Sequence, residues 1–360
     1  MNIGILTYHR AYNFGAFLQA YALKSFLEDK GHQVNFVDYW PEDHERVYRI
    51  WGKTHGLRSV IRSLIMAPKR NIRYIKFRRA QNRLLGISGK PLIRSAEQLN
   101  DLPYDIIVYG SDQIWWKSRT GRAGFDPVYW GQFVSSDIKK VSYAASMGII
   151  NLTDADVSEI KNYLTAFSHI SVRETQLMEV LQPLTDKEIC TVLDPTLLVS
   201  SSFWESVCHK KAPVNGRYIL YYSMMQDDKA DTFAKKLSQS TGLPVVKIFG
   251  DINSYKADFF NFTTGPVRFV SLVRDAEYVV STSFHGVALS VQFRKEFYAM
   301  GMRDNSGRVL SLLSQLGLEQ RMTDSLPEDM SKRIDYDAVH ARLSALRSKS
   351  ADFLISSIQL

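Results

Sequence analysis

The feature that most constrains this chain is a recurring pattern. A short apolar run stops at small or polar residues and hands over to a stretch with apolar residues three and four apart. Residues 2–7 read as a strand, 9–15 as a loop, and 16–30 as a helix carrying Ala20, Leu23, Phe26 and Leu27 on one side. Gly31 is a helix stop, and 33–38 is the next strand. Further strands are expected at 104–109, 139–146, 169–173 and 189–193, with helices at 155–166 and 175–181. The stretch 200–216, with Ser200-Ser201-Ser202 and Pro213-Val214-Asn215-Gly216, reads as a boundary. After it the alternation restarts, with strands at 217–222, 245–249, 278–282 and 296–300. Helices are expected at 228–240, 267–274, 286–293 and 307–316, and a last amphipathic one at 336–356. This is the signature of an α/β fold with two Rossmann-like domains of mostly parallel sheet facing a central cleft. The divisions expected are 1–200, 201–335, and a C-terminal helical segment 336–360 that packs back on the first domain.

Composition narrows the class. At 360 residues, 45% hydrophobic and 23% charged, the chain is packed and globular, not disordered or collagenous. Two cysteines, Cys190 and Cys208, exclude a disulfide scaffold, and no Cys/His cluster stands at metal-ligand spacing. The N-terminal residues read as a strand and not a signal peptide, and no run approaches the length of a membrane span. A cytoplasmic location is expected, with no metal and no cofactor.

The net charge is +8, but it is unevenly spread. From residue 46 to 96 there is no acidic residue and there are fourteen basic ones, so the rest of the chain carries −6 (+8 less +14). The middle of this stretch reads as one or two helices broken at Pro68. Such a one-signed surface, with Tyr48, Trp51, Tyr74 and Phe77 interleaved, suits an anionic membrane surface or a diphosphate group. No base-reading motif accompanies it, so no nucleic-acid partner is expected.

Four local constellations can carry chemistry. In 278–287 a strand ends in Ser281, Thr282 and Ser283, and His285 and Gly286 open a helix. Free N–H groups at such a helix start hold anions, and His285 can donate a proton. The plain alternative is a capped helix with a hydrogen-bonded histidine. Gly110, Ser111, Asp112, Gln113, Ile114 and Trp115 follow another strand. There Asp112 can accept a hydroxyl proton and Trp115 can stack on a sugar ring, or the segment is a turn with core tryptophans. Arg173, at a strand end, can grip a carboxylate or phosphate, or pair with Glu174. The loop Asn13-Phe14-Gly15, with Gln19 one turn on, has a phosphate-loop flavour but lacks the glycine spacing of a dinucleotide fingerprint.

Together with Ser142-Tyr143-Ala144-Ala145-Ser146-Met147-Gly148 and Leu193-Asp194-Pro195-Thr196-Leu197-Leu198, the order and spacing of these motifs resembles the polysaccharide pyruvyl transferase family over most of the chain. The resemblance implies a fold similar to GT-B glycosyltransferases. It implies phosphoenolpyruvate as donor, a cyclic pyruvate ketal on two sugar hydroxyls as product, and phosphate as leaving group. It maps the donor contacts to His285 and Arg173, with Ser281, Thr282, Ser283 and Gly286 beside them. Asp112 is the candidate base. Asn13, Gly15, Gln19, Gly110, Ser111, Gln113 and Trp115 are the expected acceptor side. The acceptor implied is a surface-polysaccharide unit; the +14 charge of the basic segment 46–95 adds the expectation that it is met at the inner membrane face as a polyprenyl-diphosphate-linked precursor. Characterised relatives carry arginine two residues before the histidine. Here that residue is Ser283, which leaves Arg294, Lys295, Arg303 or Arg308 to supply the missing charge. The alternatives are a GT-B-type glycosyltransferase using a nucleotide sugar, for which Asp251 and Asp275 could be ribose carboxylates but no glycine-rich loop accompanies them, and a non-catalytic protein binding anionic lipid or carbohydrate.

Overall fold

The structure, a computed structural model, describes residues 1–47, 57–89, 92–117, 124–225, 227–249, 263–301 and 307–359. Arg49, Trp51, Lys53, Lys90, Asp251 and Arg303 lie outside them, and of Tyr48 nothing is described.

The first half winds β1 (Asn2–Leu6), α1 (Phe14–Asp29), β2 (Gln33–Phe36), β3 (Ile106–Tyr109) and β4 (Lys139–Ser142) into a parallel sheet of order β2-β1-β3-β4. A parallel pair, β5 (Ile170–Val172) and β6 (Ile189–Thr191), joins its edge through single bridges Val141–His169 and Ala145–Val172. Helices α2 (Asp154–Leu164) and α3 (Thr175–Leu181) flank that edge. The second half repeats the plan. Strands β7 (Ile219–Ser223), β8 (Val245–Phe249), β9 (Tyr278–Ser281) and β10 (Glu296–Ala299) form a parallel sheet of order β10-β9-β7-β8. Read from the first strand of each half, both sheets run 2-1-3-4. Each therefore has its topological switch point between its first and third strands, where open α/β sheets bind ligands.

The two halves share a core. The first half of α1 is buried all round, from Phe14 to Ala20, and Ala22, Leu23 and Leu27 continue its buried side. Phe14 stacks on Phe269 of α4 (Pro266–Asp275) at 4.5 Å, and one apolar cluster runs from Ile3 and Ile5 to Val279 and Val287. Helix α5 (Tyr336–Ile358) also ties back. Ser350 Oγ accepts from the Leu193 N–H at 2.9 Å, and Arg347 Nε donates to the Leu197 carbonyl at 2.8 Å.

The basic segment departs from expectation. It contains one continuous helix, α6 (Leu57–Ala80), with Pro68 inside it, passing into a π-turn over Gln81–Leu85. Proline deletes one helical N–H and crowds the carbonyl four residues back. Here Leu64 and Pro68 are both exposed, and the helix runs on through the proline. Nor do all its cations face outward. Arg70 and Arg73 are buried, and Arg73 Nη1 donates to the Phe249 carbonyl at 3.0 Å across the two halves.

Candidate active site between the two sheets

Both switch points open on the same cleft, a cavity of about 270 Å³. Asn13 follows β1 and Asp112, Gln113 and Trp116 follow β3. Met224 and Met225 follow β7, and Thr282, Ser283, Phe284 and His285 follow β9, with Arg308 closing one side.

On the second half, the helix after β9 is α7 (Phe284–Gln292), two residues earlier than the periodicity predicts. Ser283 takes the extended N-cap conformation because its N–H is held by Ser281 Oγ at 3.0 Å. His285 consequently lies within the first turn, where backbone N–H groups have no intrahelical acceptor. Thr282 Oγ1 accepts from the Met224 N–H at 3.1 Å and so fixes the loop after β7. Ser281 and Gly286 lie beneath the cleft, packed on each other.

On the first half, Asp112 sits at φ 80°, a conformation that few residues other than glycine tolerate and that aspartate visits more readily than most. Its carbonyl takes the N–H groups of Ile114 (2.8 Å) and Ser146 (3.0 Å), and its Oδ1 that of Gln113 (2.8 Å). Gly110 makes the bend possible, since a Cβ there would stand 2.4 Å from the Tyr143 carbonyl oxygen. Asn13 caps α1 by accepting the Ala16 N–H at 3.1 Å. At Gly15 a Cβ would come within 2.1 Å of His285 Nδ1, so the first half leaves room for the second half's histidine.

Behind His285 lies a buried charge cluster. Arg173 Nη1 donates to Asp194 Oδ2 at 2.8 Å, Arg173 Nε lies 3.6 Å from Glu174, and His285 Nε2 lies 3.7 Å from the same Asp194 oxygen. Thr196 donates both N–H and Oγ1 to Asp194 Oδ1, and Ser111 Oγ lies 3.1 Å from Oδ2. Burial by itself raises the Asp194 pKa, but His285, Arg173 and Thr196 outweigh it and hold the carboxyl far below the usual carboxylate range. Burial likewise opposes the Arg173 charge, and Glu174, Asp194 and Asp112 overcome it. Arg173 Nη2 and His285 Nε2 are buried and carry no hydrogen bond among the described residues.

The structure brings Asn13, Asp112, Gln113, Thr282, Ser283 and His285 to one cleft. Other predicted residues serve it from behind. Arg173 does not line the cavity, because two carboxylates neutralise it below the Phe284 ring, 4.8 Å from the guanidinium carbon. Ser111 is wholly buried, and Gln19 Nε2 is spent on Thr7 Oγ1 and the Ala16 carbonyl, both at 2.9 Å. Trp115 cannot stack on a sugar. It is fully buried against Trp130 at 4.3 Å, with its indole N–H donating to the Tyr129 carbonyl, and its neighbour Trp116 faces the cleft instead. Of the cations offered in place of an arginine at Ser283, Arg308 lines the cleft, whereas Arg294 pairs with Asp337. Asp194 is the functional residue that sequence reasoning misses. Its signal was an aspartate-proline pair at a strand end.

The model of the family described as polysaccharide pyruvyl transferase matches residues 13–304. The chain belongs to that family. The match spans all the cleft residues except Arg308. Among curated proteins none matches significantly. Solved structures similar over nearly the whole chain include the UDP-GlcNAc 2-epimerase of Methanocaldococcus jannaschii, at 11% identity, 99% of each chain and TM-score 0.44. Another is the glycosyltransferase SnogD of Streptomyces nogalater, at 9% identity, 98% of this chain, 95% of that one and TM-score 0.42. A pyruvyl transferase family member thus presents two parallel sheets with their switch points face to face. Among the described residues no helix is long and apolar enough to cross a membrane, and no group of three metal-ligating side chains occurs.

Proposed function

We propose that the chain transfers the enolpyruvyl group of phosphoenolpyruvate to two hydroxyls of a saccharide, as a cyclic ketal, and releases phosphate. The observation that carries this reading is the meeting of His285, Arg308 and a helix N-terminus on one wall with Asp112 on the other, in a family of pyruvyl transferases. Arg308 and the free N–H groups of the first turn of α7 take the anionic donor. His285 gives a proton to the methylene carbon, which becomes the methyl group, and the central carbon becomes an oxocarbenium-like electrophile. A sugar hydroxyl attacks it as Asp112 takes the hydroxyl proton. The second hydroxyl then displaces phosphate and its proton leaves with the phosphate, so that one donor and one diol give one ketal and one phosphate. Asp194 and Arg173 act through His285 and α7 as positioning residues. The acceptor is a surface-polysaccharide unit or its lipid-linked precursor, with Trp116, Asn13 and Gln113 on its side of the cleft. The outward cations of the basic segment favour an acceptor met at an anionic surface.

The test is phosphoenolpyruvate-dependent phosphate release with a panel of simple glycosides as acceptors. His285→Ala should lower turnover by roughly 10²–10⁴, the range of one general acid or base. Near-wild-type turnover in that variant, or turnover with nucleotide sugars and none with phosphoenolpyruvate, overturns the reading.

A further inference from the structure

A second cavity, of about 660 Å³, lies between the end of the basic segment and the second half. Lys76, Arg79 and Arg83 line it from one side, at the spacing of a single helix face. Arg268, His209 and the N-terminal end of α4, at Gly265 to Val267, line it from the other.

The charges here are unlike those behind the active site. Among the described residues neither Arg79 nor Arg83 meets a carboxylate at ion-pair distance, whereas Arg173 meets two. Among the described residues no acidic one lines the cavity. Several of the groups are nonetheless built in. The Lys76 stem packs on Gly265, where a Cβ would stand 2.9 Å from Lys76 Cβ, and its Nζ reaches Thr263 Oγ1 at 3.4 Å. Arg268 Nη2 donates to the Pro213 carbonyl at 3.2 Å. The His209 main chain is held at both ends, its N–H by Ser271 Oγ at 2.8 Å and its carbonyl by Arg274 Nη2 at 3.1 Å. Burial and then Arg268 lower the Lys76 pKa, and burial with Arg268, Arg83, Arg274 and Lys76 lowers that of His209. Like charges held together at a pocket wall repel one another, and an anion between them relieves that repulsion.

We infer that this pocket is a phosphate-binding site, separate from the cleft, built to take a phosphate monoester or a diphosphate. Guanidinium groups from two elements and the first-turn N–H groups of α4 match the oxygens of such a group. The inference does not rest on the donor chemistry proposed above. The ligand is either a soluble phosphate compound or a lipid headgroup at a membrane, and the test separates the two.

Inorganic pyrophosphate is titrated by calorimetry into a His285→Ala/Arg308→Gln background, in which the cleft does not contribute. Saturable binding is expected, weakened at least about tenfold by adding Arg79→Gln and Arg83→Gln, as for lost hydrogen bonds to charged groups. Both arginines are exposed, so these changes leave the fold intact. As a check that needs no substitution in the pocket, the pKa of His209, followed by NMR, should rise when pyrophosphate is added. Sedimentation with phosphatidylcholine vesicles, with and without phosphatidic acid, then assigns the source. Capture that pyrophosphate reverses and the pocket variant loses points to a headgroup, and pyrophosphate binding without vesicle capture points to a soluble ligand. Absence of pyrophosphate binding, or binding that survives Arg79→Gln/Arg83→Gln with an unmoved His209, overturns the proposal.

Discussion

The two halves of the molecule wind their first four strands in the same order and open their switch points on the same cavity, yet they bring different chemistry to it. The second half supplies a helix start, a histidine and Arg308, groups able to hold an anion and, in the proposed reaction, to protonate it. The first supplies Asp112, a carboxylate able to take a hydroxyl proton, with the amides Asn13 and Gln113 and the aromatic Trp116 beside it. One topology repeated therefore yields two chemically different walls, which the proposed reaction uses as donor side and acceptor side. What joins them is Asp194, a carboxylate of the first half set against the histidine of the second.

Breaking that joint should give a large effect on stability, with a pH signature of its own. Asp194→Asn removes one partner of a fully buried ion pair, which costs about 3–5 kcal/mol, and urea denaturation of the two proteins measures it. The same carboxyl makes a pH prediction. Its folded pKa lies far below the unfolded value of about 4, so its stabilisation is complete above about pH 5 and is lost as pH falls through the acid range. The asparagine variant should accordingly lose stability less steeply on acidification than the wild type. Equal slopes would show that Asp194 does not carry the linkage.

A sharper, smaller contrast lies within the acceptor wall. Trp115→Ala should destabilise by about 3–5 kcal/mol, as for other large buried aromatics. Trp116→Ala should leave the denaturation midpoint unchanged and raise the KM for the saccharide. If the two substitutions behave alike in denaturation and kinetics, the division between a core tryptophan and a cleft tryptophan is wrong.

Much of this frame was legible in the sequence, because strand and helix periods are local. The limits of Thr175–Leu181, Val245–Phe249 and Gly307–Leu316 follow directly from apolar spacing and flanking polar residues. His285 and Asp112 were legible for the same reason, since strand ends locate switch points. What depends on distant partners was not. Arg173 reads as a clamp or as a partner of Glu174 until Asp194, 21 residues on, is placed beside it as well. Trp115 and Trp116 are neighbours of one type, and only Trp130 decides which turns inward. Pro68 signals a break, yet the helix Leu57–Ala80 runs through it.

The most direct test of the two-wall account is calorimetric titration of phosphoenolpyruvate, without acceptor, into the wild type, Arg308→Gln and Asp112→Asn. The account predicts saturable binding that Arg308→Gln weakens at least about tenfold and Asp112→Asn leaves unchanged. No binding to the wild type, or equal loss in both variants, would contradict it.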